Sequence, residues 1–177
     1  MSKALNGFEN YNERVRKPSG FLLPNPPRDS CAFSTPTSKA LFTVHSLPDV
    51  TLSEDRFVLM TIRSHDQYNT TIYGLHDRYR GIHGNRRVLF MNALDMSECG
   101  LKTRDVVDIT SHFQGTKRLS KQWIVVPYEI PHRNLAAYFP EANELVPLES
   151  TAKISNTPTS KWIEVSLSSP VDSSEEE

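Results

Sequence analysis

The sequence of 177 residues predicts a mainly β domain, either a small barrel or a sandwich. Short apolar runs recur from residue 56 onward, and each is bounded by polar or turn-forming residues. The chain also contains 12 prolines but only 7 glycines. Because proline breaks long helices and is tolerated in loops and edge strands, we expect about six short strands and only one or two short helices.

Six segments have the pattern of strands. The first two are almost continuously apolar, as in buried strands, whereas the last alternates apolar and polar residues. The predicted strands are 56–62, 86–92, 105–111, 121–130, 143–148 and 162–167. A short helix is predicted in ALDMSECG after the second strand, with Gly100 as its C-cap, and a turn is predicted at Gln114-Gly115. Pro127 indicates an edge or a bulge in the fourth strand.

Composition divides the chain into three parts. Residues 1–50 are rich in proline, serine and threonine but also contain many large apolar side chains. We therefore expect an extended segment that packs on a larger body or is partly disordered. Residues 51–167 hold the predicted strands and form the barrel. Residues 168–177 end in three glutamates and are expected to be a disordered acidic tail.

Charge, hydropathy and cysteine content limit the function classes. A net charge of −1 argues against general nucleic-acid binding. Residues 56–135 nevertheless carry twelve Lys and Arg against seven Asp and Glu, which suits a small anionic ligand. No apolar run approaches the ~20 residues that span a bilayer, so no membrane contact is expected. Because Cys31 and Cys99 are too few for a disulfide framework, we expect a cytoplasmic protein.

One polar run carries the densest binding chemistry. The segment TIRSHDQYNTT, residues 61–71, follows directly on an apolar strand. Arg63 offers five donors to phosphate, and serine and threonine hydroxyls donate or accept. The amides of Gln67 and Asn69 can read the edge of a heterocycle in both directions. This inventory suits a ligand with a pyrophosphate and a purine-like or pterin-like ring. An ordinary polar surface loop is the alternative.

Other chemistry in the sequence is weaker. Ser64, His65 and Asp66 stand in the order of a catalytic triad, but neighbours on an extended chain point to opposite sides. A small hydrolase is therefore a remote alternative. The other histidines, including His132, lack the helix or hairpin spacing of metal ligands, so no metal site is expected. No glycine-rich phosphate-binding motif is present.

Three longer stretches resemble a known family. They are LMTIRSHDQYNTTIYGLHDRYRGI, RRVLFMNALDMSECGLKTRDVVDITS and YFPEANELVPLESTAKISNTPTSKWIEVSL. All three are similar to the C-terminal region of formate-dehydrogenase-alpha-like molybdopterin oxidoreductases, in the dimethyl-sulfoxide-reductase superfamily. The resemblance covers about residues 7–167. Asn92-Ala93 departs from the family's usual Asn-Pro and residues 102–105 from its usual Gly-Asp turn, which affects loop geometry.

The resemblance implies a six-stranded barrel of the double-psi type that closes over bis-molybdopterin guanine dinucleotide. The implied cofactor-binding residues are Thr61, Arg63, Ser64, His65, Gln67, Asn69, Thr70, Asn143 and Lys161. The first three would face phosphates, and the next four would lie near the pterin or guanine. The asparagine at 143 would bond the ring system, and the lysine would supply a cationic contact.

Superfamily members are several times longer than this chain. Their iron–sulfur cluster cysteines, their ligand to molybdenum or tungsten and many cofactor contacts lie in earlier domains. The resemblance therefore implies a C-terminal domain that partners missing N-terminal domains of an oxidoreductase and catalyses nothing alone. A free-standing double-psi barrel that binds another protein is the alternative.

Overall fold

The computed structural model describes residues 3–47, 51–69 and 72–170. It divides the chain into two compact units, Met1–Asp49 and Val50–Glu177. The first unit contains two short helices, α1 (Tyr11–Arg14) and α2 (Pro26–Ser30). The side chain of Asn25 caps α2 by accepting a hydrogen bond from the amide of Arg28. The rest of the described part of this unit has no regular helix or strand.

The second unit is a closed barrel of six strands. Its elements are β1 (Phe57–Ile62), β2 (Val88–Met91), α3 (Ala93–Glu98), β3 (Val106–Phe113), β4 (Thr116–Pro127), β5 (Asn134–Tyr138), a 3₁₀ helix (Glu141–Leu145) and β6 (Ile163–Ser168). The strands close in the order β1-β5-β2-β4-β3-β6. β1 pairs with β5 and β2 with β4 in parallel, and the other four pairs are antiparallel. The prediction of a small six-stranded barrel is confirmed.

Two apolar clusters explain why β2 is apolar at every position. Leu89 and Met91 point into the barrel core, where they meet side chains such as the fully buried Trp123. Val88 and Phe90 point outward into a second cluster. Because successive side chains of a strand alternate between its faces, burial on both faces requires a continuous apolar run.

The predicted strand at 143–148 is wrong. Its first residues belong to the 3₁₀ helix, and Leu145 and Val146 are both buried although they are adjacent. Pro140 precedes the segment and Pro147 lies within it, and neither can donate a ladder hydrogen bond.

The true fifth strand, β5, was not predicted. Its sequence NLAAY has small side chains and no β-branched residue, so local propensity for a strand is weak. Its position comes from pairing with β1 on one side and β2 on the other.

The predicted turn between β3 and β4 is present. Gln114 and Gly115 have φ angles of 47° and 82°, and they join Phe113 directly to Thr116. Two consecutive positive φ angles match the right-handed twist of a two-residue hairpin. Because the turn is this short, β4 begins directly after it at Thr116 and not at residue 121 as predicted. The short helix after β2 is also present, and Gly100 follows it with a φ of 67°.

No helix in the described parts of the chain is long and apolar enough to cross a membrane. β6 reaches Ser168, and the predicted acidic tail lies outside the described residues from residue 171 onward.

Strand directions define two ends of the barrel. β1 and β5 finish at the end where β2 and β6 begin. We call this the polar end, because it carries residues 63–69 and 72–86 together with the 3₁₀ helix. β1 and β5 begin at the opposite end, which carries α3 and is called the α3 end.

Candidate functional site

A buried arginine organises the polar end. Arg86 stands just before β2 and is 3% exposed. Its guanidinium donates to Oγ of Ser64 at 2.7 Å, to Oε1 of Gln67 at 3.0 Å and to the carbonyl oxygen of Phe139 at 2.9 Å. Its Nε also lies 2.7 Å from Oε1 of Glu141 in an ion pair. Arg86 therefore joins the polar run to the end of β5 and to the 3₁₀ helix.

A buried carboxylate anchors the same run from the other side. Oδ2 of Asp77 accepts hydrogen bonds from Nη1 of Arg80 at 2.7 Å, from the hydroxyl of Tyr138 at 2.8 Å and from the amide of His65 at 3.3 Å. Burial pushes the pKa of Asp77 upward, but the hydrogen bonds from Arg80 and Tyr138 and the charge of Arg80 outweigh it, so the pKa lies below its ordinary value. Asp77 is therefore a charged acceptor at neutral pH.

Tyr138 remains a donor in this network. Burial, followed by its hydrogen bond to Asp77 and the charge of that carboxylate, raises the pKa of Tyr138.

Four of the predicted site residues have partners within the protein. Ser64 and Gln67 bond to Arg86, and Nε2 of Gln67 also donates to the carbonyl oxygen of Phe139 at 3.0 Å. Nζ of Lys161 donates to the carbonyl oxygen of Thr61. The side chains of Ser64, Gln67 and Lys161 and the backbone carbonyl of Thr61 thus all lie near the end of β1.

Lys161 and Arg63 form a cationic corner at this end. Burial and then the nearby charge of Arg63 lower the pKa of Lys161. A lysine with a depressed pKa next to an arginine is stabilised in its charged form by an incoming anion.

Another four predicted residues are exposed and keep free hydrogen-bonding capacity. The side chains of Arg63, His65, Asn69 and Asn143 form no hydrogen bond or ion pair with another described residue. The ring of His65 rests on Tyr79, with ring centroids 3.7 Å apart. The side chain of Asn143 forms no hydrogen bond with the described residues of the polar run, although Asn143 lies on the 3₁₀ helix that Arg86 binds through Glu141. Thr70 lies outside the described residues.

These groups fit an anionic ligand that also carries a heterocycle. The polar end offers an arginine, a lysine and two amides, and the buried Nε of Arg80 has no hydrogen-bond partner among the described residues. Guanidinium and ammonium groups bind phosphates, and amides bind ring edges that both donate and accept.

The apparent triad in the sequence is not assembled. Oγ of Ser64 accepts from Arg86, the ring of His65 stacks on Tyr79, and Asp66 has its own cationic neighbour. That neighbour is Arg78, 3.9 Å away.

Sequence reasoning missed the residues that hold the polar end in place. Arg86 is the first residue of the predicted strand at 86–92, where a charged side chain usually faces solvent, and Asp77 stands in a polar loop. The sequence carries no periodic signal for their burial. Their positions depend on the approach of β5 and the 3₁₀ helix, which follow about 50 residues or more later.

Comparison with known proteins matches this part of the chain to one family. The model of the molydopterin dinucleotide binding domain matches residues 57–163, which is more than half of the chain. The match begins at β1 and ends at the start of β6, so it contains the whole polar end.

Two groups of curated relatives are similar over nearly the whole chain. An uncharacterized oxidoreductase of Mycobacterium tuberculosis is 53% identical over 166 residues, which cover 91% of this chain and 21% of the relative. The protein YdeP of Escherichia coli is 39% identical over 166 residues, which cover 90% of this chain and 22% of the relative. The chain thus spans about one fifth of the length of these relatives.

Proposed function

Because this chain belongs to the molydopterin dinucleotide binding domain family, we propose that its polar end holds the dinucleotide portion of a molybdopterin cofactor. The observation that carries the proposal is that the buried polar residues at this end are bonded within the protein, whereas the exposed ones are not. Buried Arg86 and Asp77 fix the backbone and the inner side chains, while Arg63 and Asn143 remain exposed with unused hydrogen-bonding groups. A preorganised frame with free donors is what tight ligand binding requires.

Each predicted residue receives a role in this proposal. Arg63 and Lys161 bind phosphate oxygens, and Asn69, Asn143 and His65 approach the guanine or the pterin. Thr61, Ser64 and Gln67 position these groups, because their polar atoms already bond within the protein. Thr70 keeps the contact implied by the resemblance. The complete ligand in this proposal is bis-molybdopterin guanine dinucleotide.

The chain is proposed to be the C-terminal part of a longer, formate-dehydrogenase-like oxidoreductase. The length of the relatives supports this, as does the name oxidoreductase that one of them carries. The redox chemistry would come from the molybdenum or tungsten of the bound cofactor, with an iron–sulfur cluster in other domains. This chain would supply binding and orientation.

The N-terminal segment, residues 1–50, is proposed to pack on those other domains. Several of its large apolar side chains are almost fully exposed in the described chain, including Phe42 at 92% and Val44 at 95%. Apolar side chains exposed this far are typical of a surface that another protein domain covers.

The proposal predicts that Arg63→Ala weakens nucleotide binding. We expect the chain to gain thermal stability when GDP is added, and to bind GDP measurably in isothermal titration calorimetry. A hydrogen bond to a charged group contributes about 1.5–3 kcal/mol, so loss of the guanidinium should weaken binding roughly 10- to 100-fold. The melting temperature without ligand should not change, because the Arg63 side chain bonds to no described residue.

Arg104→Ala is the matched control. Arg104 is also exposed and precedes β3 at the α3 end, so its removal should leave GDP binding unchanged. An equal loss in both variants would indicate a general charge effect. If neither GDP nor molybdopterin released from a known enzyme stabilises the chain, and a tight protein partner is found instead, the interaction-module alternative is correct.

A further inference from the structure

The α3 end of the barrel carries a second concentration of charge, opposite in sign to the cationic corner formed by Arg63 and Lys161. A cavity of about 860 Å³ lies between α3, the starts of β1 and β3, and the end of β6. Its lining includes five carboxylates, from Glu54, Asp55, Asp95, Glu98 and Asp105. None of its lining residues belongs to the polar run. The single arginine in the lining, Arg133, directs its guanidinium to the carbonyl oxygens of Ser53 and Arg56 instead.

Two of these carboxylates meet a histidine. Asp95 and Glu98 are three residues apart on α3 and therefore share one face of the helix. His132 approaches that face, with Nδ1 at 2.6 Å from Oδ1 of Asp95 and Nε2 at 4.0 Å from Oε2 of Glu98. One potential ligand atom from each of the three residues lies within 4.8 Å of the other two.

The buried oxygen of this cluster has no hydrogen bond. The side chain of Asp95 is 1% exposed, and its Oδ1 has no hydrogen-bond partner among the described residues. The 2.6 Å contact between this oxygen and Nδ1 of His132 lacks hydrogen-bond geometry. A buried carboxylate oxygen without a donor is costly, and it needs a proton donor or a cation.

Two hydrogen bonds hold Asp95 and the segment that contains His132 in position. The other oxygen of Asp95, Oδ2, accepts from the amide of Arg133 at 2.9 Å. Nδ2 of Asn92, the N-cap of α3, donates to the carbonyl oxygen of Ile130 at 2.6 Å. These two bonds fix the segment that contains His132 against the helix, so the cluster does not depend on flexible surface side chains alone. Such second interactions orient metal ligands in known sites.

We propose that Asp95, Glu98 and His132 bind a divalent transition-metal cation at the α3 end, with Zn²⁺ as the first ion to test. Imidazole nitrogen and carboxylate oxygens are common zinc ligands. A cation bound to Oδ1 would satisfy the buried oxygen that the protein leaves without a donor. Because Nδ1 of His132 is only 2.6 Å from Oδ1, the half-exposed ring must turn slightly to place both atoms at bonding distance from one ion. Three protein ligands also leave at least one coordination position open to water or to an anionic group.

The test is isothermal titration calorimetry of the full chain with ZnCl₂ after removal of metal with EDTA and dialysis. We expect one zinc ion per chain and an increase in melting temperature that EDTA reverses. Glu98→Gln and His132→Gln should each weaken zinc binding at least roughly tenfold. Both side chains are more than half exposed, at 68% and 51%, so the variants should fold normally.

A second histidine pair provides the control. The rings of His76 and His83 lie 5.6 Å apart at the polar end, and exposed histidines in such a pair can bind zinc nonspecifically. The double variant His76→Gln/His83→Gln should bind zinc as the unmodified chain does. The proposal is overturned if zinc does not bind, if binding is lost in this double variant, or if Glu98→Gln and His132→Gln leave the affinity unchanged.

Discussion

Replacing Arg86 with methionine is expected to lower the free energy of unfolding by about 3–5 kcal/mol. The change removes the positive partner of Glu141, whose side chain is only 19% exposed, and leaves that carboxylate without a cation in a largely desolvated position. It also removes the donors that Ser64 and Gln67 accept from. The measurement is guanidinium chloride unfolding followed by tryptophan fluorescence, which reports on the fully buried Trp123.

The neighbouring arginine is the matched control. Arg87 pairs with Glu144 and also donates to Oγ of Ser120 and to the carbonyl oxygen of Lys121, but its side chain is 38% exposed. Water can replace part of these bonds, so Arg87→Met should cost clearly less than Arg86→Met, about 1–2 kcal/mol. Equal unfolding midpoints for the two variants would contradict the central role of Arg86. A double variant, Arg86→Met/Glu141→Leu, should be more stable than Arg86→Met alone because no unpaired charge remains.

Asp77→Asn should destabilise the barrel by about 2 kcal/mol at pH 7, because four hydrogen bonds from Arg80, Tyr138 and His65 lose a charged acceptor. The folded protein holds the pKa of Asp77 below its ordinary value of 3.8. Its contribution is therefore fully present above about pH 4 and is lost as the pH falls through the folded-state pKa. The stability difference between the unmodified chain and the variant should shrink when urea unfolding is measured at pH 3 instead of pH 7.

Asp66→Asn separates this effect from a general loss of negative charge. Asp66 is exposed and lies 3.9 Å from an exposed Arg78, so its substitution should change stability by less than about 1 kcal/mol at either pH. If the difference in unfolding free energy between the unmodified chain and Asp77→Asn stays constant between pH 7 and pH 3, the charged carboxylate is not the stabilising form.

The strands that the sequence predicts are those whose own residues show a continuous apolar run or a regular alternation of apolar and polar residues. The runs that became β1 and β2 are apolar at nearly every position, and β6 alternates. β5 has no such signal, because its alanines are buried by neighbours that lie far away in the chain. The residues at 143–148 suggest a strand because Leu145, Val146 and Leu148 are apolar. Pro140 instead stands at the start of the 3₁₀ helix, and Pro147 cannot donate a ladder hydrogen bond.

The candidate site is predictable in composition but not in internal arrangement. The polar run identifies where donors and acceptors collect, since its side chains are visible in the sequence. The sequence cannot show which of them are already used, because that depends on Arg86 and on the carbonyl oxygen of Phe139. The same limit applies to His132, which reads as isolated until the segment before β5 brings it to α3.

The pairing of the strands also bears on the order in which the chain folds. β3 and β4 are joined by a two-residue turn, whereas Val58 of β1 pairs with Asn134 of β5, which is far away in the sequence. Hairpins form in about 1–10 μs, and pairing between distant segments is slower because a longer loop must close first. Pulse-labelled hydrogen exchange during refolding should therefore protect the amides of β3 and β4 before those of β1, and simultaneous protection would exclude this order.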